Sequence, residues 1–237
     1  MYLLYTPQTF DERLREKVPN IFTKSCPAGI IRIYQKHGVQ LMKKHLFLTG
    51  VSGIGKTTII RQALGSSAGY AGGFITERVT DIDGRVEGFD LYPAAAAIGH
   101  DGFDGQRFLD FSTTPPQKDN EVFRESAAQM LREAEFYPFV LLDEIGGFEM
   151  LIPQFRNELA ELLNSDTPII GVIKGAENAE ELRSSFGLGE KFTMLTDNLR
   201  AVLANDEDTV VIEVKQRGDE TAKRIVEAWV KEYANIR

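Results

Sequence analysis

The segment of this chain best suited to chemistry is a glycine-rich stretch that ends in a lysine and a threonine. Its spacing is G-x-x-x-x-G-K-[ST], a pattern in which successive backbone N–H groups point inward at phosphate oxygens. The lysine would reach the terminal phosphates of a nucleotide, and the hydroxyl that follows it would bind Mg²⁺. We predict phosphate binding by Gly50, Val51, Ser52, Gly53, Ile54, Gly55, Lys56, Thr57 and Thr58.

A second chemical signature is a pair of acids that directly follows the apolar run at residues 139–142. We predict that Asp143 and Thr57 together hold Mg²⁺, since this cation prefers oxygen ligands. Glu144 is placed to polarise a water molecule for attack on the γ-phosphate. Two acids after a strand often mark only the start of a helix, so the assignment depends on the glycine-rich loop upstream.

Transfer of a phosphoryl group also benefits from a cation that meets the developing negative charge. Arg200, which follows an expected strand, is our candidate for this catalytic role. Arg78, Arg85 and Lys174 are further candidates. Taken alone, each of the three arginines is more typical of a solvated surface side chain.

The elements that must position these residues can be read from the apolar pattern. Residues 45–49 form a short apolar run typical of a buried strand, and residues 58–64 have helical spacing that stops at Gly65. A helix that begins at the glycine-rich loop would add its own N–H donors and positive dipole end. Strand, loop and helix therefore follow one another in the order that phosphate binding requires.

Strands and helices alternate from residue 45 onward, which predicts an α/β fold with a mostly parallel sheet flanked by helices. An Asp-Gly turn at residues 81–84 predicts a β-hairpin insertion near 72–92. A loop is expected over 94–105. Further strands are expected at 106–111, 139–142, 169–173, 192–195 and 210–214. Helices are expected at 119–135, 153–163, 177–186 and 219–233, with a short one from 197.

The chain has 237 residues, of which 43% are hydrophobic, enough for one sizeable domain. We place that domain at 42–237. Residues 1–41 differ in pattern and form an N-terminal extension that is either a genuine appendage or sequence upstream of the natural start at Met42.

A net charge of −8 argues against a broad nucleic-acid-binding face. Cys26 is the only cysteine, which favours a reducing compartment. No apolar run has the length of a membrane helix, and the first residues lack the features of a signal peptide. We therefore expect a cytoplasmic protein that binds a nucleoside triphosphate and neither nucleic acid nor a membrane. The pattern leaves a protein partner open.

Three segments together resemble the small nucleoside-triphosphatase family first known from thermophiles, which has a human cancer-related relative. They are residues 48–58, residues 73–77 with 84–90, and residues 143–146 with Glu149 and Phe155. The resemblance covers about residues 42–205. It implies a RecA-like P-loop fold and Mg²⁺-dependent hydrolysis of ATP, GTP and other nucleoside triphosphates to diphosphate and phosphate.

The chain departs from the family pattern at several positions. The family usually has a lysine where Gly147 stands, a methionine where Phe148 stands, and an asparagine where Leu199 precedes Arg200. The glycine-rich loop and the acid pair are intact.

Two alternatives remain at this point. A nucleotide or nucleoside kinase would pass the phosphoryl group to an acceptor instead of water, and such a role has been suggested for the family. A nucleotide-gated interaction protein would use slow hydrolysis as a timer and residues 1–41 as its partner contact.

Overall fold

A single eight-stranded sheet organises the described part of the chain, which in this computed structural model comprises residues 43–100 and 102–234. The strands lie in the order β5-β4-β3-β2-β6-β7-β1-β8. Their bounds are β1 His45–Thr49, β2 Ala71–Thr80, β3 Val86–Pro93, β4 Gln106–Asp110, β5 Gln117–Lys118, β6 Phe139–Ile145, β7 Ile169–Ile173 and β8 Thr209–Glu213.

The sheet has a parallel part and an antiparallel part. Strands β2, β6, β7, β1 and β8 pair in parallel, whereas β3, β4 and β5 extend the sheet from β2 with antiparallel pairing. The carboxyl ends of the parallel strands therefore meet at one edge. Strand β7 lies between β1 and β6, so the segments that follow β1 and β6 are about 10 Å apart, with the end of β7 between them.

Helices cover both faces of the sheet. Their bounds are α1 Lys56–Leu64, α2 Ala128–Arg132, α3 Pro153–Asn164, α4 Ala176–Phe186, α5 Glu190–Asn205 and α6 Glu220–Tyr233. A π-helical turn at Val122–Ala127 precedes α2, and 3₁₀ helices occupy Gly65–Tyr70, Ala94–Ile98, Glu133–Phe136 and Phe148–Leu151. Among the described residues, no helix combines the length and the apolar character needed to cross a membrane.

The core is divided by the sheet into two layers, because successive strand residues point to opposite faces. In β1, Phe47 packs in the layer that contains α3 and α5, while Leu46 and Leu48 pack in the layer that contains α1 and α6. Trp229 of α6 is fully buried, and its indole Nε1 donates to the Lys44 carbonyl at 3.1 Å. The predicted α/β fold with a mostly parallel, helix-flanked sheet is confirmed.

Three local predictions need correction. Residues 192–195 are not a strand but part of α5, because their apolar side chains continue at helical spacing through Leu199 and Val202, which are buried. The hairpin near 72–92 is present, but its first strand belongs to the parallel core through its pairing with β6. The predicted loop at 94–105 begins as a 3₁₀ helix.

The extension at residues 1–41 lies outside the described residues. We expect a variant that starts at Met42 to remain folded and active. The domain is anchored from Lys44 onward, where Nζ donates to the Ser165 carbonyl at 2.8 Å and the carbonyl accepts from Trp229. Thermal midpoints and ATP turnover of the 42–237 variant and the full chain test this. An insoluble or inactive variant would show that the extension belongs to the fold.

Candidate active site

The glycine-rich loop joins β1 to α1 and lies at the carboxyl edge of the parallel strands. Gly50 has φ +133°, and a Cβ there would lie only 2.7 Å from the Val214 carbonyl oxygen, so the chain after β8 packs directly against the loop. Gly55 has φ +102° where the chain turns into α1. Val51 and Ser52 are exposed, which leaves the loop open to a ligand.

Lys56 is the first residue of α1, and its side chain folds back over the loop. Nζ donates to the carbonyl oxygens of Gly50 and Val51, each at 2.9 Å. The residue is only 4% exposed, and burial lowers the pKa of its ammonium. The Asn178 amide of α4 donates to the same Gly50 carbonyl at 3.1 Å. The ammonium is thus held where the loop would enclose phosphates.

Thr57 and Asp143 meet across the sheet edge, as the sequence suggested. The Thr57 hydroxyl donates to Asp143 Oδ1 at 2.8 Å. Burial raises the pKa of Asp143 to about 6, although the bond from Thr57 opposes this. A hydroxyl and a carboxylate suit a hard divalent cation. The described residues contain no group of three or more metal-ligating side chains, so a cation here would take further ligands from water and phosphates.

Glu144 has an unusual backbone conformation. Among the described residues it is the only non-glycine with positive φ, at +57°. The pairing of β6 with β7 shifts register between Leu142 and Ile145, so Glu144 leaves the regular ladder. Such a conformation costs about 1–3 kcal/mol and is typical of functional sites. The turn that follows is held by the buried carboxylate of Glu149, whose Oε1 accepts from two backbone N–H groups at 2.7 Å each.

The carboxylate of Glu144 is paired with Lys174, the first residue after β7, at 3.1 Å. Burial alone would raise the pKa of Glu144. The positive charges of Lys174, Lys56 and Arg78 together outweigh the effect of burial, so the pKa of Glu144 lies below its ordinary value. Glu144 is therefore a carboxylate at neutral pH and can accept a proton.

Arg200 lies in α5 and contacts the residue that follows β7. Its Nη1 donates to the Lys174 carbonyl at 3.4 Å, and its Nη2 is paired with Asp197. Arg78 lies in β2, its guanidinium is 6.0 Å from the centre of the Phe89 ring, and its charge contributes to lowering the pKa of Glu144. Arg85 is exposed at the hairpin turn.

Three contributors to the site were not predicted as site residues. The Asn178 amide donates to the Gly50 carbonyl, and the Arg217 guanidinium donates to the Gly53 carbonyl at 3.4 Å. Neither residue belongs to a sequence motif that could have marked it. Glu149 appeared only within the family resemblance, and the signal for its role was its place five residues after the last acid of the pair. All three act through contacts that depend on the folded chain.

Comparison with known proteins identifies a family and several relatives. Residues 45–206 match a family model described as NTPase. The cancer-related nucleoside-triphosphatase of Homo sapiens is 32% identical over 167 residues, covering 60% of this chain and 84% of the human protein. Nucleoside-triphosphatase THEP1 of Thermotoga petrophila is 29% identical over 151 residues, covering 60% of this chain and 80% of that protein.

Among solved structures, that of THEP1 from the hyperthermophile Aquifex aeolicus aligns with a TM-score of 0.49 and 19% identity, covering 80% of this chain and 98% of that one. The resemblance inferred from the sequence is confirmed by the family model and the human relative. The chain belongs to the NTPase family.

Proposed function

We propose that this protein hydrolyses nucleoside 5′-triphosphates, ATP and GTP among them, to the diphosphate and phosphate with the help of Mg²⁺. The observation that carries the proposal is the meeting of three features at one sheet edge. These are the loop closed by Lys56, the Thr57–Asp143 pair and the ionised Glu144. Together they supply phosphate binding, a cation site and a base.

Phosphate binding begins at the loop. The two carbonyl bonds of Lys56 satisfy its ammonium within the protein, and phosphate oxygens would replace those carbonyls as its acceptors. The N–H groups of the loop and of the first turn of α1 add donors and a positive dipole end. The nucleotide is thereby held with its terminal phosphate toward the acids.

Thr57 and Asp143 would hold the cation, which in such sites neutralises charge on the β- and γ-phosphate oxygens. Glu144 then orients a water molecule and accepts its proton. The water oxygen forms a bond to the γ-phosphorus while the bond from that phosphorus to the β,γ-bridging oxygen breaks. Arg200 supports the strand end that carries Lys174. A direct contact of Arg200 with the γ-phosphate would require the guanidinium to leave Asp197.

Binding of Mg²⁺ is expected to weaken as pH falls through about 6, the raised pKa of Asp143. Below that value the carboxyl is protonated and cannot ligate, so affinity at pH 5 should fall about tenfold relative to pH 7.5. Titrating Mg²⁺ against the protein with fluorescent ADP measures this. Because ADP also titrates in this range, Asp143→Asn is the control. An equal pH dependence in that variant would contradict the assignment.

Phosphate release from ATP, GTP, CTP and UTP tests the function directly. We expect turnover of several of these triphosphates with Mg²⁺ and none with excess chelator. Absence of phosphate release from all four would contradict the proposal.

A kinase would need a second pocket with cations that close over an acceptor. The two cations of residues 94–118 are engaged within the protein. Arg107 is paired with Asp90, and Lys118 Nζ lies 5.9 and 5.3 Å from the ring centres of Phe148 and Phe186. This supports water as the acceptor. We also propose that the protein works in the cytoplasm without nucleic acid or membrane, on the basis of its net charge of −8 and single cysteine.

A further inference from the structure

Lys174 is the ion-pair partner of Glu144 and belongs to neither recognised motif. It follows β7, the strand that separates the loop strand β1 from the acid strand β6. Its backbone is fixed from both sides: its N–H donates to the Ile145 carbonyl at 2.8 Å, and its carbonyl accepts from Arg200. The ammonium at its tip donates to Glu144 Oε2, and its positive charge adds to burial in lowering the pKa of Lys56.

The stem of Lys174 passes beside Gly147. A Cβ built on Gly147 would lie 3.5 Å from Lys174 Cε and 2.6 Å from Glu149 Oε2. The lysine thus passes across the turn after β6, and its ammonium stops at Glu144 Oε2, 3.1 Å away. The side chain keeps 18% of its surface exposed, so it is only partly shielded from solvent.

This ion pair places the base in a poor state for catalysis. A carboxylate bound to an ammonium has one oxygen occupied, and the neighbouring positive charge reduces its tendency to accept a proton. A triphosphate brings a more highly charged acceptor to the same ammonium. The P-loop would hold that acceptor beside Lys56, on the loop side of Lys174.

We propose that Lys174 is a catalytic residue that binds the γ-phosphate and, in doing so, releases Glu144 to accept the proton of the attacking water. The inference deepens the proposed hydrolytic function and rests on it for the proton step. In the nucleotide-free protein Lys174 holds Glu144. In the triphosphate complex it holds the γ-phosphate and meets the charge that develops there.

In this role Lys174 would distinguish a nucleoside triphosphate from a diphosphate. The loop and Lys56 bind the phosphates that a diphosphate and a triphosphate share, whereas Lys174 would contact only the γ-phosphate. Loss of the ammonium should therefore weaken the binding of a triphosphate more than the binding of a diphosphate. If Lys174 only neutralised Glu144, both nucleotides would respond alike.

The test compares the affinities of a non-hydrolysable ATP analogue and of ADP for wild type, Lys174→Met and Lys174→Arg. For Lys174→Met we expect the analogue to bind about tenfold or more weakly, ADP to bind within about twofold of wild type, and kcat to fall about 10²-fold. Lys174→Arg should recover part of the analogue affinity. Lys191→Met, an exposed lysine of α5, is the matched control and should change neither affinity.

A double variant controls for the loss of the ion pair, which could by itself destabilise the fold. Lys174→Met leaves Glu144 without its partner, so the change is also made in a Glu144→Gln background, where no uncompensated carboxylate remains. The selective loss of analogue affinity should persist there. Equal losses for both nucleotides, or a loss that disappears with Glu144→Gln, would overturn the proposal. Since these are binding measurements, they remain decisive for Lys174 even if wild type releases no phosphate.

Discussion

Replacing Lys56 by alanine is expected to lower the rate of triphosphate hydrolysis by about 10³-fold or more, while the domain stays folded. The ammonium is the cation of the loop itself, and no described side chain replaces it from the same position. Its only hydrogen bonds are to the carbonyls of Gly50 and Val51, so its loss removes little of the packing of α1. Burial already disfavours the charge, as its lowered pKa shows.

Phosphate release and the thermal midpoint are the two measurements for this variant. Lys231→Ala, at an exposed position of α6, is a matched lysine control that should retain full activity. A folded Lys56→Ala protein with near-normal turnover would show that the glycine-rich loop is not required for hydrolysis.

Glu144→Gln is expected to keep nucleotide and Mg²⁺ binding but to lose turnover by about 10²- to 10⁴-fold, the usual contribution of a general base. Glutamine preserves the size of the side chain and the option of a hydrogen bond to Lys174, but it cannot accept a proton. The strained backbone at φ +57° is equally demanding for both residues, so stability should change little.

Single-turnover hydrolysis and Mg²⁺ titration distinguish the roles of the two acids. Asp143→Asn should raise the Mg²⁺ concentration required, because it weakens a ligand that Thr57 holds in place. If instead Glu144→Gln changed the Mg²⁺ requirement and Asp143→Asn changed only the rate, the two assignments would be reversed.

The sequence predicted those parts of the site that depend on local geometry. The loop from Gly50 to Lys56 is specified by glycines within a few residues of each other, and Asp143 follows its strand directly. Their approach follows from one rule, that parallel strands end at the same edge. The Thr57–Asp143 bond at 2.8 Å is the outcome.

The contacts of Lys174 could not be predicted in this way. They depend on the insertion of β7 between β1 and β6, which is a property of strand order and not of any one segment. The positive φ of Glu144 arises from a register shift between β6 and β7 and leaves no mark in composition. Arg200 was placed after a strand because four residues, 192–195, are too few to distinguish a buried helix turn from a short strand.

Hydrolysis of ATP in water enriched in ¹⁸O is the most direct test of the central claim that this site transfers the γ-phosphoryl group to water. We predict that one ¹⁸O atom enters each phosphate released, that ADP and phosphate form in equal amounts, and that added nucleosides and nucleoside monophosphates change neither result. ADP formation without matching phosphate, with the phosphoryl group recovered on an added acceptor, would contradict the account and identify a kinase instead.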